Sequence, residues 1–276
     1  MRTLFTGLMG LLTFAAGVYA LLCGLLYWRQ ESVIFFPVQN DASLRRQYEP
    51  QRIALPAAAA TLEGWWMDNP RATTTAVILY FGGNAEDVLH TASLAAHFNA
   101  RRLLVVNYRG YGRSSGEPGQ DALYADALVI YDYAITSGVQ PEQIVLMGRS
   151  LGSGMAAMLA AYREVGAAIL VTPFDSLGAV AAEHYPIFPV RLLLRHPFPS
   201  TEWARSSHAP ALFLAADHDV IIPPIHAHRL YDAWQGKKQF HLLTGKGHND
   251  IEENPRYFEL INEFLTNLSV NREAPT

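Results

Sequence analysis

One short stretch of this chain leaves few folds open to it. Ile144-Val145-Leu146-Met147 is a continuous apolar run, Gly148-Arg149-Ser150-Leu151-Gly152 follows it, and Ser153 to Tyr162 is rich in alanine. An unbroken apolar run of this length reads as a strand buried on both faces, and the alanine-rich stretch reads as a helix. The pentapeptide must therefore turn the chain from strand to helix within a few residues. Glycines at its two ends leave room for so tight a backbone. The serine between them is thrust out at the end of a sheet, above a helix N-terminus that favours negative charge developing nearby. This is the form of a nucleophile elbow.

The same two patterns alternate along most of the chain. Short strands are expected at Ser32–Phe36, Arg52–Leu55 and Thr61–Met67, the last with Trp65 and Trp66 on opposite faces. Further strands are expected at Ala76–Phe81, Arg102–Tyr108, Ala167–Val171, Ala211–Ala215 and Gln239–Leu243. Helices are expected at Ala85–Asn99, Gln120–Ser137, Pro224–Trp234 and Asn254–Leu268. Arg109 to Gly119 reads as a loop dense in Gly and Ser. Strands alternating with helices imply right-handed crossovers, so the expected class is α/β, with a mostly parallel central sheet covered by helices on both faces. Chemistry in such sheets gathers beyond the carboxyl ends of the strands. Leu177 to Arg205 breaks the rhythm: it lies between two strands, is rich in Pro and aromatics, and is too long for a plain connection. It is expected to be a small lid over the site, the alternative being an irregular helix pair packed on the body.

The 276 residues suit one such domain, and with half of them hydrophobic and 17% charged a large core is easily filled. A net charge of −4 gives no electrostatic reason to expect nucleic acid as a partner. Cys23 is the single cysteine, so no disulfide can form within the chain, which fits a reducing compartment.

The N-terminus is of another kind. From Thr3 to Trp28 there is no Asp, Glu, Lys or Arg. As a helix this stretch would be about 39 Å long, enough to cross a bilayer with some tilt. Tyr27, Trp28 and Arg29 close it as an interfacial belt would. A cleaved signal peptide, cut after Val18-Tyr19-Ala20, is the rival reading, but signal apolar regions are shorter. The expected organisation is a single-pass anchor over residues 1–29 and a catalytic domain over 30–276, with the lid at about 177–205. Arg2 lies on one side of the span and Arg29, Arg45 and Arg46 on the other, which leans towards a cytoplasmic domain.

A serine hydroxyl needs a base to take its proton, and the base needs a carboxylate to orient it. Of ten histidines, His248 is the candidate base: it stands in Gly245-Lys246-Gly247-His248-Asn249-Asp250, after the last expected strand and before the last helix. For the acid, Asp217 and Asp219 both follow the strand Ala211–Ala215, and Asp175 follows the strand before it. Asp219, in a turn closed by Pro223, is favoured over both. The oxyanion of a tetrahedral intermediate needs two backbone N–H groups. One is expected from Leu151, directly after the serine. The other is expected from Asn84 in Phe81-Gly82-Gly83-Asn84; the alternative is a plain turn, with the Asn84 side chain able to cap the next helix. His226-x-His228 with His218 and Asp219 has metal-ligating residue types but no closed spacing, so no metal is expected. Gly110-Tyr111-Gly112 with Gly116 misses the dinucleotide spacing.

Assembled, these motifs resemble the α/β-hydrolase superfamily, and within it the single-pass, membrane-anchored serine hydrolases related to the fungal bud-emergence hydrolases and their bacterial homologues. The matching residues are Tyr80 to Ala85, Asn107 to Gly116, Gly148 to Gly154, Asp219 to Pro223 and Gly247 to Asp250. The resemblance runs from the anchor to the closing helix. It implies an α/β-hydrolase fold with the order serine, acid, histidine, and hydrolysis of acyl esters or thioesters with no metal or organic cofactor. One departure stands out: the family has His-Gly-Asn in the oxyanion loop, and Gly82 occupies the histidine position. The expected function is a membrane-anchored serine hydrolase with a small-molecule or lipid-like acyl substrate. A serine peptidase on the same fold and a catalytically silent binding scaffold are the alternatives.

Overall fold

The computed structural model describes residues 2–273, with side-chain surroundings for residues 3–268. Helix α1 (Arg2–Ile34) and the short α2 (Ala42–Gln47) precede the sheet. Strands β1 (Arg52–Ala57), β2 (Ala60–Asp68) and β3 (Val77–Phe81) lead into α3 (Val88–Ser93), β4 (Arg102–Val106) and α4 (Gln120–Thr136). Then come β5 (Ile144–Arg149), α5 (Leu151–Tyr162) and β6 (Ala167–Val171), followed by α6 (Leu177–His184), α7 (Val190–Leu193) and α8 (Ser200–Ala204). The chain closes with β7 (Ala211–Ala216), α9 (Pro224–Ala233), β8 (Lys238–Leu243) and α10 (Arg256–Glu273).

The eight strands form one sheet in the order β1-β2-β4-β3-β5-β6-β7-β8. β1 and β2 pair antiparallel, β2 joins β4 antiparallel, and every pairing from β4 to β8 is parallel. The chain moves outward from β3 to β4 and then crosses back to β5 on the other side of β3. That reversal makes a crevice beyond the carboxyl ends of β3 and β5, where Phe81 is in register with Gly148.

Side chains alternate across each strand, so the sheet has a core on either face. Leu79, Phe81, Leu104, Leu146, Leu170 and Phe213 point to the face covered by α4, α5 and α9. Ile78, Tyr80, Val105, Met147, Ile169 and Leu214 point to the face covered by α3 and α10. Trp65 lies in the second core while Trp66 packs against the first, the opposite facing expected from β2.

Two elements differ from the sequence expectation, and a third differs from the alternative weighed for it. Ser32–Phe36 is not a strand: α1 runs on to Ile34. Val33 and Ile34 have strand-like β-branching, but the Ile34 carbonyl, an orphan of the helix end, accepts a hydrogen bond from Asn84 Nδ2 at 2.6 Å, and Pro37 follows. Ala85–Asn99 is not one helix either. Ala85 sits at φ 58°, so α3 starts only after Asp87, whose carboxylate accepts from the Leu89 N–H. The 177–205 insertion forms three short helices rather than a pair. α8 lies against α5, while α7 lies against α1.

α1 is apolar around its circumference: Leu4, Phe5, Leu11, Phe14, Leu21 and Trp28 are all exposed, and none of the most hydropathic stretch is buried. It is long and apolar enough to cross a membrane.

Candidate active site

The elbow forms at the end of β5. Ser150 adopts φ 50°, ψ −116°, left-handed backbone that a side-chain-bearing residue occupies only under constraint. The constraints are close contacts on both sides. A Cβ on Gly148 would collide with the Gly152 carbonyl, and one on Gly152 with the Phe81 carbonyl. The Ser150 N–H is bonded to the Val171 carbonyl at 2.9 Å, which fixes the turn against β6.

His248 Nε2 lies 2.9 Å from Ser150 Oγ, and His248 Nδ1 lies 2.6 Å from Asp219 Oδ2. With the Nδ1 proton directed at the carboxylate, Nε2 is left as the acceptor for the serine hydroxyl. The other Asp219 oxygen accepts the Ile221 and Ile222 N–H groups at 2.9 and 2.7 Å, so the carboxylate is held in one orientation. Asp219 and His248 are buried at 5% and 8% exposure. Little water reaches their hydrogen bond, so it is electrostatically stronger than in solvent.

The rival aspartates go elsewhere. Asp217 accepts the Gly245 N–H at 2.8 Å, tying the start of the His248 loop to the end of β7. Asp175 has a histidine of its own, with His226 Nδ1 at 2.7 Å. The residues weighed as metal ligands diverge: His226 is buried between Asp175 and Glu183, His228 stacks on Phe240, and His218 is exposed.

The loop after β3 is wired at each position. Tyr108 Oη donates to the Gly82 carbonyl at 2.7 Å. The Gly83 N–H donates to Glu86 Oε2 at 2.7 Å, and Tyr80 Oη and Thr91 Oγ1 donate to Glu86 Oε1. The Asn84 side chain accepts from Tyr111 Oη at 2.7 Å and the Phe36 N–H at 3.0 Å, while its Nδ2 caps Ile34. It therefore caps α1, and not the helix that follows it. Burial pushes Tyr111 up to about 12 and Tyr80 and Tyr108 well above their ordinary value, so all three remain donors at neutral pH. Among the described residues, the backbone N–H groups of Asn84 and Leu151 have no protein acceptor. A Cβ at Gly82 would lie 3.0 Å from Val88 Cγ1, so a side chain there would require Val88 to give by a few tenths of an ångström.

Two residues not singled out from the sequence complete the surroundings. Arg149 donates to the His248 carbonyl at 3.2 Å and lies between Glu252 at 3.4 Å and Glu86 at 3.8 Å, so one guanidinium joins the elbow, the histidine loop and the loop after β3. Its signal was present: Arg149 is the sole charged residue from Ile144 to Tyr162. Glu86 carried no such signal.

The chain matches the sequence pattern of the alpha/beta hydrolase fold over residues 76–191. It is 30% identical to human alpha/beta hydrolase domain-containing protein 17B over 209 residues, covering 74% of this chain and 70% of that one. The chain belongs to the α/β-hydrolase family. Protein bem46 of Schizosaccharomyces pombe is 28% identical over 291 residues, 96% of this chain and 94% of that one, so this similarity takes in the N-terminal region as well. Among solved structures, the Pyrococcus furiosus esterase Pf2001 has the same fold, with a TM-score of 0.65 at 16% identity over 84% of this chain and 96% of that one.

The second buried histidine of this α/β-hydrolase has a separate role. His226 joins α9 to Asp175 and, through Nε2 at 3.0 Å, to Glu183 on α6; Arg229 adds a contact to Asp175 at 3.4 Å. Burial pushes the imidazole down, but the hydrogen bonds and charges of Asp175 and Glu183 outweigh it and hold its pKa above 6.5. Burial likewise pushes Asp175 up, and His226, the Ser176 N–H and Arg229 bring it below 3.8. A raised histidine stabilises fully below its unfolded value and is lost as pH rises through its folded one; a depressed aspartate does the reverse. The pair therefore contributes most between 3.8 and 6.5. In thermal melts, the advantage of the native protein over His226→Gln should be largest within that window and shrink on going alkaline.

Proposed function

We propose that the protein is a membrane-anchored serine hydrolase that cleaves acyl ester or thioester bonds through an acyl-enzyme. The reading is carried by the continuous path Asp219–His248–Ser150, which ends on a strained elbow beside the 82–84 loop, where the Leu151 and Asn84 N–H groups have no protein acceptor among the described residues. Ser150 Oγ attacks the acyl carbonyl and its proton passes to His248 Nε2. Asp219 holds the ring and stabilises the imidazolium. The Leu151 and Asn84 N–H groups receive the oxyanion, with the dipole of α5 adding to the first. His248 then protonates the leaving alcohol or thiol, and water, activated by the same ring, releases the acid. α1 serves as the anchor, and its charge-free length and exposed apolar surface support that placement. The anchor is residues 1–29, of which 2–29 belong to the longer α1, and the catalytic domain is 30–276 with its lid at 177–205. The arginines after the span favour a cytoplasmic domain.

A panel of p-nitrophenyl esters of graded chain length beside peptide p-nitroanilides tests the assignment. Turnover of esters well above that of amides is expected; turnover of the amides alone would make the protein a peptidase, and none at all in folded protein a scaffold. The same panel tests the oxyanion loop. Asn84→Ala keeps the backbone N–H but removes the side-chain bonds to Ile34, Phe36 and Tyr111 that hold the residue in place. Misplacing a transition-state donor by about an ångström costs on the order of 10²-fold. For Asn84→Ala, kcat should fall about 10- to 100-fold with KM for a short ester little changed.

A further inference from the structure

α1 does not stand clear of the domain. Tyr19 Oη donates to the Ile187 carbonyl at 2.8 Å, and its ring lies parallel to Phe188 with centres 6.1 Å apart. Further along the same face, Arg195 lies over the Tyr27 ring, and Gln30 bonds the Leu193 carbonyl and the Arg195 N–H at 3.1 and 2.6 Å. Glu31 pairs with Arg195. Tyr19, Tyr27, Gln30 and Glu31 make one stripe at helical spacing, and the stripe faces the insertion.

This stripe fixes the depth of the insertion. A hydrocarbon layer takes about 20 helical residues. Wherever such a span is placed within the charge-free run Thr3–Trp28, residues 9–22 fall inside it. Tyr19 is among them in every register, so Ile187 and Phe188, in contact with it, lie at or beneath the hydrocarbon boundary. In the shallowest register the span ends at Leu22, Tyr19 is about 4.5 Å inside the boundary, and Tyr27 to Arg29 fall in the headgroup layer where aromatic and basic residues gather.

The surface at that depth suits lipid. Tyr185, Ile187 and Leu192 are 54%, 72% and 84% exposed. From Tyr185 to Leu194 the one charged residue is Arg191, whose length lets its head reach the phosphates while its stem stays apolar. The apolar surface also continues towards the chemistry. His184, the last residue of α6, is 2.9 Å from the Ile221 carbonyl, and the Ile221 N–H is bonded to Asp219. On that same loop and the start of α9, Val220, Ile221 and Ile225 are exposed.

We infer that the insertion's 185–192 segment, continued by 220–225, is seated in the lipid leaflet that receives the second half of α1. The rim of the Ser150 site then lies at the lipid surface, and an acyl substrate resident in that leaflet enters without crossing water. The inference rests on α1 being an anchor, and it does not need Ser150 to be the nucleophile.

The test uses the full chain in phosphatidylcholine vesicles, in a Cys23→Ser background. An environment-sensitive fluorophore is attached at Leu192→Cys, at Ile187→Cys in a second variant, and at Glu142→Cys, which is exposed at the opposite end of β5, as control. Spin-labelled lipid is expected to quench the labels at 192 and 187 while aqueous iodide does not, with the reverse at 142. Labels at 192 and 187 quenched by iodide as fully as the control, in protein that floats with the vesicles, would overturn the seating alone. Protein that does not float would overturn the anchor and the seating together.

Discussion

Ser150→Ala is expected to lower kcat for any substrate by at least about 10⁴-fold while leaving the melting temperature close to that of the native protein. The two halves of that expectation have separate causes. In the proposed mechanism the Ser150 hydroxyl, 2.9 Å from His248 Nε2, forms the acyl-enzyme, so its removal abolishes that step. The strained backbone at φ 50° is imposed by Gly148, Gly152 and the Val171 carbonyl rather than by the hydroxyl, and alanine keeps the same Cβ. The residual rate should exceed that of water, because the Leu151 and Asn84 N–H groups remain. His248→Ala should fall to a similar level, and the double variant should be barely worse than either alone, since groups that act as a unit are not additive. Steady-state kinetics with a chromogenic ester, beside thermal melts, measure both.

Asp219→Asn is expected to cost about 10⁴-fold in kcat, because the amide can present its N–H₂ to His248 Nδ1 and so favour the wrong tautomer. The geometry makes the comparison sharp. Asp175 and Asp217 were the sequence alternatives, and each has other partners: His226 and Arg229 for the first, the Gly245 N–H for the second. Asp175→Asn should therefore act mainly on stability through the α6–α9 contact. Asp217→Asn keeps a carbonyl oxygen for the Gly245 N–H and should have a small effect. If Asp175→Asn instead lost activity as Asp219→Asn is expected to, the acid would be misassigned.

The contrast between these aspartates shows what could be read from the sequence. Elements set by their own periodicity were legible. β3, β5, β6 and β7 are apolar runs bounded by turn residues, and α5 follows its strand across glycines that the close approach of Phe81 requires. Ser150, His248 and Asp219 were nameable because each sits just past the end of a strand, and parallel strands bring those ends together. Features set by distant contacts were not. Ser32–Phe36 has the β-branched look of a strand, and what holds Ile34 in a helix is Asn84, fifty residues on in the chain. The start of the helix expected at Ala85–Asn99 failed for a local reason, since the left-handed Ala85 is invisible in a residue type that favours helices. Glu86 and the Asn84 side chain matter through partners that only the folded sheet assembles.

The central claim is that Ser150 is the nucleophile of a serine hydrolase, and the most direct measurement is covalent. A fluorophosphonate probe reacts with a serine that has an activating base and an oxyanion hole, and peptide mass spectrometry locates the adduct. A single adduct on Ser150, lost in Ser150→Ala and in His248→Ala, is the predicted result. An adduct that persists in Ser150→Ala, or folded native protein that takes no label, would contradict it.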